Sequence, residues 1–208
     1  MEKKYIGLDA MLDGIEAVLF DVDGTLIDSM GVWDAVDLAY LDKYHKPMPE
    51  NLTRELSGLS ILQAAAYFRD VIGIQESDET MIADWNDLAM DQYRNHVEMK
   101  DGVLRFLNLL KDRGIKMAVG TSNTTTLAMT ALNRHGLAGF FPVILTGEDI
   151  VKGKPDPFIY LEGARRLGVE PGKCLVFEDI CAGVMAGKSA GMRVCTVYDI
   201  YSEYELDE

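Results

Sequence analysis

The stretch Val18-Leu19-Phe20-Asp21-Val22-Asp23-Gly24-Thr25-Leu26 constrains this chain more than any other. Three apolar residues ending at an acid read as the end of a parallel strand buried on both faces, because such a strand needs no polar alternation. Side chains alternate along a strand, so Asp21 and Asp23 start on one side and aim two carboxylates into one crevice before Gly24 lets the chain turn. Open parallel sheets bind ligands beyond the carboxyl ends of their strands. Two carboxylates this close repel, and a hard divalent cation such as magnesium, which takes oxygen ligands and keeps waters and phosphate oxygens in its shell, relieves that repulsion. Asp-Gly is also ordinary turn chemistry. At ordinary residue frequencies, however, Asp, Asp, Gly and Thr fall at these offsets roughly once in 10^5 positions, which favours a site over a turn.

The rest of the chain supplies the setting. Tyr5, Leu8 and Leu12 predict a short helical arm ended by Asp13-Gly14. From Leu26 to about residue 100 the pattern is helical. Trp33, Val36, Tyr40, Leu41 and Tyr44 share one face, stopped by Pro47-Met48-Pro49. Ser60-Ile61-Leu62-Gln63 is a capping box that opens a second helix through Ala65, Phe68 and Ile72 to Gly73, and a third runs from near Ser77 through Ile82, Trp85, Ala89 and Tyr93. These aromatic stripes read as the core of the helical block, with Trp33 the exception because it follows the acidic motif closely.

Strand and helix then alternate. Val103, Phe106, Leu107 and Leu110 form a helical face closed by Arg113-Gly114, and residues 115–119 read as a strand. A helix over 125–135, a short strand over 143–145 and a helix capped by Asp156-Pro157 and ending at Leu167 come next. Residues 174–177 are a fully apolar strand, the helix with Ala182, Ala186 and Ala190 presents a small face for close packing, and 193–197 form the last strand. Such alternation implies right-handed crossovers and an α/β fold with a doubly wound parallel sheet. Residues 30–100 are then an inserted all-helical cap, and residues 1–29 plus 101–208 the α/β core.

Three further stretches sit where strands end. Thr121-Ser122-Asn123 offers hydroxyls and backbone N–H groups at a strand-to-helix junction, where phosphate oxygens can be cradled, although Ser, Thr and Asn are also common helix caps. Gly153-Lys154-Pro155-Asp156-Pro157 holds Lys154 between a glycine and prolines, whereas nearby Lys152 lacks the following proline. Phe177-Glu178-Asp179-Ile180-Cys181-Ala182-Gly183 places two acids at another strand exit, within reach of the same metal as Asp21.

The run F-D-V-D-G-T-L resembles the first motif of the haloacid dehalogenase (HAD) superfamily of phosphotransferases, and Thr121, Lys154-Pro155 and Glu178-Asp179 with Gly183 resemble the other three, in order. The overall pattern is similar to the beta-phosphoglucomutase-like branch, with its Rossmann-like core and helical cap. The resemblance implies phosphoryl transfer in two steps. Asp21 becomes a phosphoaspartate while Asp23 serves as acid and then base; Thr121, Ser122, Asn123 and Lys154 hold the phosphoryl group. It also implies Mg2+ held by Asp21, the backbone carbonyl of Asp23, and Asp179, with Glu178 acting directly or through water. Ile180 departs from the Ser frequent in relatives, which touches one outer hydrogen bond. An acid at position 23 disfavours dehalogenase and phosphonate-hydrolase chemistry. Mutases of this branch carry His near the place of Trp33 and a G-x-S-R cap loop; here the loop is Gly58-Leu59-Ser60-Ile61. Phosphatase activity on a small phosphorylated metabolite is therefore expected, with sugar phosphomutase and a catalytically silent phosphate or metal binder as the alternatives.

Charge and cysteine usage bound the partners. With 34 acidic against 20 basic residues the net charge is -14, which argues against nucleic acid and anionic membranes and requires that any phosphate be met by local positive charge. Cys174, Cys181 and Cys195 show no metal or redox spacing, and no apolar run approaches a membrane span, so a reduced, cytoplasmic monomer is expected. The five acids among the last ten residues, Asp199, Glu203, Glu205, Asp207 and Glu208, read as a solvated tail.

Overall fold

The computed structural model describes residues 7–205, with side chains as far as Ser202. Leu8–Leu12 form a short helix, α1, that buries Leu12; Tyr5, assigned to the same arm by its spacing, lies outside the described residues. The apolar run is strand β1, Ala17–Phe20, buried throughout. After Asp21 the chain doubles back, with the Leu26 and Ile27 N–H groups donating to the Val22 carbonyl at 2.9 and 3.0 Å. Strand β2 (Ile27–Asp28) follows, then helices α2 (Met30–Lys43), α3 (Leu52–Leu56), α4 (Ile61–Tyr67) and α5 (Asp78–Asn95). Strand β3 (Glu98–Met99) then pairs antiparallel with β2, so the two passages into and out of the helical block form one ribbon. Beyond it come α6 (Val103–Asp112), β4 (Lys116–Gly120), α7 (Thr125–Arg134), β5 (Val143–Leu145), α8 (Phe158–Leu167), β6 (Cys174–Glu178), α9 (Cys181–Ser189) and β7 (Arg193–Thr196).

Five strands make one parallel sheet in the order β5-β4-β1-β6-β7. The chain builds outward from β1 on one side and then crosses back to build the other. That reversal opens a crevice at the carboxyl end of β1, between β4 and β6, the place where doubly wound sheets bind ligands. Phe20 lies opposite Val119 and Phe177, so Asp21, Gly120 and Glu178 emerge at one level.

Strand alternation sorts the β1 side chains between two layers. Val18 and Phe20 pack with Leu107, Leu110 and Leu127 of α6 and α7, whereas Ala17 and Leu19 pack with Ile159, Tyr160 and Ala186 of α8 and α9. Burial of each large side chain contributes about 1.5–3 kcal/mol. Helix α8 approaches so closely that a Cβ on Gly163 would lie 2.6 Å from a Leu19 methyl. On α9 the close-packed face is built from Gly183, Ala186 and Gly187, with Ala182 half-buried beside it.

In the helical block Tyr40, Phe68 and Trp85 meet with ring centroids 5.1–5.7 Å apart, and this centre is continuous with the α6/α7 layer. The Ser60/Gln63 capping box is present, and α4 continues as a π-helical turn, Phe68–Ile72, to Gly73 in the left-handed conformation. Three expectations need correction. Helix α3 and the β2/β3 ribbon were not expected, because five and two residues are too few to show a period. Helix α8 begins at Phe158, one residue later than expected, with Pro157 at the cap and the Asp156 carboxylate accepting the Phe158 N–H at 3.0 Å. Asp199 is not part of a solvated tail: it is 3% exposed, pairs with Lys100 at 2.6 Å, accepts the Tyr201 N–H and starts a 3-10 helix, Ile200–Glu205. The Glu203 and Glu205 side chains, and Asp207 and Glu208, lie outside the described residues.

Candidate active site

Four segments converge at the carboxyl end of the sheet. Asp21 leaves β1 with its N–H bonded to the Phe177 carbonyl at 3.0 Å and is 5% exposed. Gly24, in the turn that follows, has φ +75°, and a Cβ there would overlap the Asp179 carboxylate, so both backbone and space demand glycine. Lys154 comes from the loop after β5 and is 3% exposed, while Lys152 points to solvent. That loop is pinned by the helical block: Gln63 Oε1, which caps Ser60, also accepts the Gly153 N–H at 2.6 Å.

The Lys154 ammonium lies 2.5 Å from Asp21 Oδ1 and also contacts Glu178 Oε1. Glu178 is fully buried, takes the Tyr160 hydroxyl on the same oxygen, and takes the Asp179 N–H on the other at 3.2 Å. Asp179 Oδ1 accepts from Thr25 Oγ1 at 3.0 Å, and its Oδ2 is buried with no hydrogen-bond partner. Asp21, Glu178 and Asp179 each offer an oxygen, all within 4.8 Å of one another. Burial pushes the Asp21 carboxyl up to about 8, a rise that Lys154 opposes and Glu178 and Asp23 reinforce. Asp179 is raised well above the usual carboxylate range, by burial first and then by Glu178 and Asp21. Burial lowers the Lys154 pKa, but Asp21 and Glu178 together outweigh it, so the lysine stays an ammonium. One ammonium among three buried acids leaves the cluster short of positive charge. An orphaned carboxylate oxygen within an all-oxygen donor set fits a hard divalent cation such as Mg2+.

Asp23 does not bring its carboxylate into this cluster. The side chain is turned toward the helical block and accepts from Ser29 Oγ at 2.5 Å, from the Tyr93 hydroxyl and from Asn123 Nδ2 at 2.9 Å. The strand alternation that would have aligned it with Asp21 ends where the turn begins. Asn123 is likewise engaged, its Nδ2 also donating to Tyr93 Oη at 3.0 Å and its Oδ1 accepting the Thr124 N–H at 2.7 Å, so it clamps Asp23 and has no free group for a phosphate. Thr121 is buried, with Oγ1 accepting the Asn123 N–H at 3.1 Å, which leaves its own hydroxyl hydrogen free to donate. Ser122 Oγ is buried without a partner.

Above these groups lies a cavity of about 190 Å³. Its walls include Trp33, Asp34, Asp37, Ile61, Phe68 and Trp85, and among the described residues Lys154 is the one basic side chain lining it. Phe68 and Trp85, read from the sequence as core, therefore serve both as core and as cavity wall. Tyr93, Thr25, Tyr160 and the Asp34/Asp37 pair were not singled out by sequence reasoning. Tyr93 stood in a helical stripe, Thr25 belonged to the first motif without a role of its own, and Tyr160 and the acid pair follow no spacing that marks them.

A sheet-end cluster of acids and one lysine, with an inserted helical block above it, defines a class of α/β phosphate-site fold that the family comparison makes specific. Residues 18–197 match the haloacid dehalogenase-like hydrolase family, and the chain belongs to it. Within that family it falls in the beta-phosphoglucomutase-like branch. It is 33% identical over 179 residues to the phosphorylated carbohydrates phosphatase of Thermotoga maritima, covering 86% of this chain and 83% of that protein. It is also 33% identical over 191 residues to hexitol phosphatase A of Escherichia coli, covering 86% and 81%. The crystal structure of CbbY from Rhodobacter sphaeroides in complex with phosphate shares the fold, with a TM-score of 0.81 and 23% identity over 91% of this chain and 89% of that one. Among the described residues no helix is long and apolar enough to cross a membrane.

Proposed function

We propose that this chain is a magnesium-dependent phosphatase that hydrolyses a small phosphomonoester through a phosphoaspartate at Asp21, with residues 30–100 acting as a cap over the site. The observation that carries the choice of hydrolase over mutase is the charge of the cavity wall. A mutase must hold a second phosphate at the far end of its substrate, which calls for a cation there. This wall offers Trp33 and Ile61, and it adds two acids, Asp34 and Asp37. Arg69 is committed to Asp78, and neither it nor Arg54 lines the cavity. The cavity also falls below the roughly 300–1,000 Å³ of pockets for drug-sized ligands, which suits a small ester.

In this reading an Asp21 oxygen attacks phosphorus as the bond to the leaving oxygen breaks, and Asp23 gives that oxygen a proton. Asp23 then takes a proton from water, whose oxygen attacks the phosphoaspartate; the bond to Asp21 breaks and inorganic phosphate leaves. The hydroxyls of Thr121 and Ser122 and the Lys154 ammonium hold the phosphoryl oxygens as their charge redistributes. Tyr93, Ser29 and Asn123 orient Asp23 for both proton transfers. Asp21 and Asp179, with Glu178 beside them, would hold the Mg2+, which offsets the charge of carboxylates and phosphate when bound.

Turnover of p-nitrophenyl phosphate with Mg2+ tests the reading, and Asp21→Asn is expected to abolish it while preserving the fold. Phosphorus NMR of beta-glucose 1-phosphate with a bisphosphate primer is expected to show inorganic phosphate. Glucose 6-phosphate forming faster than phosphate would replace the reading with a mutase.

A further inference from the structure

The cap wall carries an unusual burden for an enzyme of phosphate esters: two carboxylates facing the substrate cavity. Asp34 and Asp37 are three residues apart on α2 and so share a helix face. Asp34 accepts one hydrogen bond, from Thr53 Oγ1 at 3.1 Å. Asp37 is 8% exposed, and among the described residues it has neither a hydrogen-bond donor nor a basic partner. A buried carboxylate without a partner is costly. The indole of Trp85, 4% exposed, is part of the same wall. The unpartnered Asp37 thus stands in a cavity whose wall the rings of Trp33, Phe68 and Trp85 complete.

We propose that the leaving group of the substrate is an alcohol bearing a cationic nitrogen, an alkylammonium, received between Asp34, Asp37 and the aromatic rings of Trp33, Phe68 and Trp85. The inference rests on the phosphatase reading for its position on the substrate, and on the cavity itself for its chemistry. A neutral polyol could donate hydrogen bonds to both acids, but it would leave their mutual repulsion uncompensated in a buried setting. A second phosphate would add to that repulsion. A cation neutralises the pair and gains from the aromatic faces, an attraction that grows once water is excluded. Burial first, and Asp34 second, push the Asp37 carboxyl up to about 7, as expected of an acid whose counter-charge arrives with the ligand.

Matched esters that differ only in charge test this: phosphocholine against 3,3-dimethylbutyl phosphate, and phosphoethanolamine against propyl phosphate. At least one cationic ester is expected to exceed its neutral counterpart about tenfold in kcat/KM. Asp34→Asn and Asp37→Asn should each bring that ratio close to one. Calorimetric binding of choline against 3,3-dimethyl-1-butanol gives the same comparison without turnover, and choline is expected to bind about tenfold more tightly, with the preference lost in both variants. p-Nitrophenyl phosphate carries no cation, so its hydrolysis reports on the phosphatase reading alone. If it is not turned over while choline binding stays dependent on Asp34 and Asp37, the phosphatase reading fails and the cation site stands. If neutral esters and alcohols match or exceed the cationic ones, the cation site is overturned whatever the turnover of p-nitrophenyl phosphate.

Discussion

Asp37→Asn isolates the electrostatic cost of the cavity wall. The folded protein holds the Asp37 carboxyl near 7 against an ordinary value of 3.8, because burial and then Asp34 disfavour its charge. The folded state therefore binds this proton more tightly than the unfolded chain does. Stability from that proton is fully present below about pH 4 and is lost as the pH rises through 7. Each pH unit inside this window is worth about 1.4 kcal/mol, so the wild type forfeits roughly 2–3 kcal/mol between pH 5 and pH 8 at this one site. Asparagine keeps the shape and never ionises. In urea denaturation at pH 5 and pH 8 with chelator present, the variant's stability relative to wild type should rise by about 2–3 kcal/mol at the higher pH. Asp21 and Asp179 titrate in both proteins and cancel in the difference. A gap that stays constant within about 0.5 kcal/mol, or one that narrows, would refute the claim that Asp37 is buried without a counter-charge.

Two further substitutions probe the site. Lys154→Met removes the ammonium shared by Asp21 and Glu178, and breaking a buried pair this way should cost about 3–5 kcal/mol as well as turnover; an unchanged urea midpoint at neutral pH would contradict the pairing. Tyr93→Phe deletes the hydroxyl that donates to Asp23 and should lower kcat about tenfold with little loss of stability, because Ser29 and Asn123 remain on the same carboxylate; wild-type kcat would remove Tyr93 from the positioning of Asp23.

What the sequence made legible follows from locality. Strand β1 is buried on both faces, so its signal is a short apolar run, and the groups at its exit stand at fixed offsets from it. The Ser60/Gln63 box and the left-handed Gly73 are likewise local and could be read directly. Asp34 and Asp37 could not. Helix α2 is covered by the cap's aromatic core on one side and faces the cavity on another, so acids that would mark a solvent face line a pocket instead. Tyr93 reaches Asp23 across 70 positions, and Lys100 reaches Asp199 across 99, pairings that no window of sequence contains. Asp199 misled for the same reason: an acid in a run of like charges reads as solvated unless its distant counter-charge is known.

Cap and core also meet away from the site, where Arg134 and His135 bond the Asn95 and Val97 carbonyls, but several of their contacts fall on groups the proposed chemistry needs. Tyr93 of α5 holds Asp23, and Gln63 of α4 holds the Gly153 N–H next to Lys154. Asn86 of α5 accepts the Thr124 hydroxyl at 2.6 Å, beside the residues after β4. The covalent connection is the two-stranded β2/β3 ribbon, and Tyr201 packs against Gly31 where α2 begins. Displacing the cap would thus free Asp23 from a donor, loosen the lysine loop and open the cavity to water in one step. Binding energy from a leaving group held by Asp34 and Asp37 would act against that displacement, because α2 and α5 pack on each other through Tyr40 and Trp85. Recognition at the far end of the substrate and alignment of Asp23 at the near end are therefore joined through the same pair of helices.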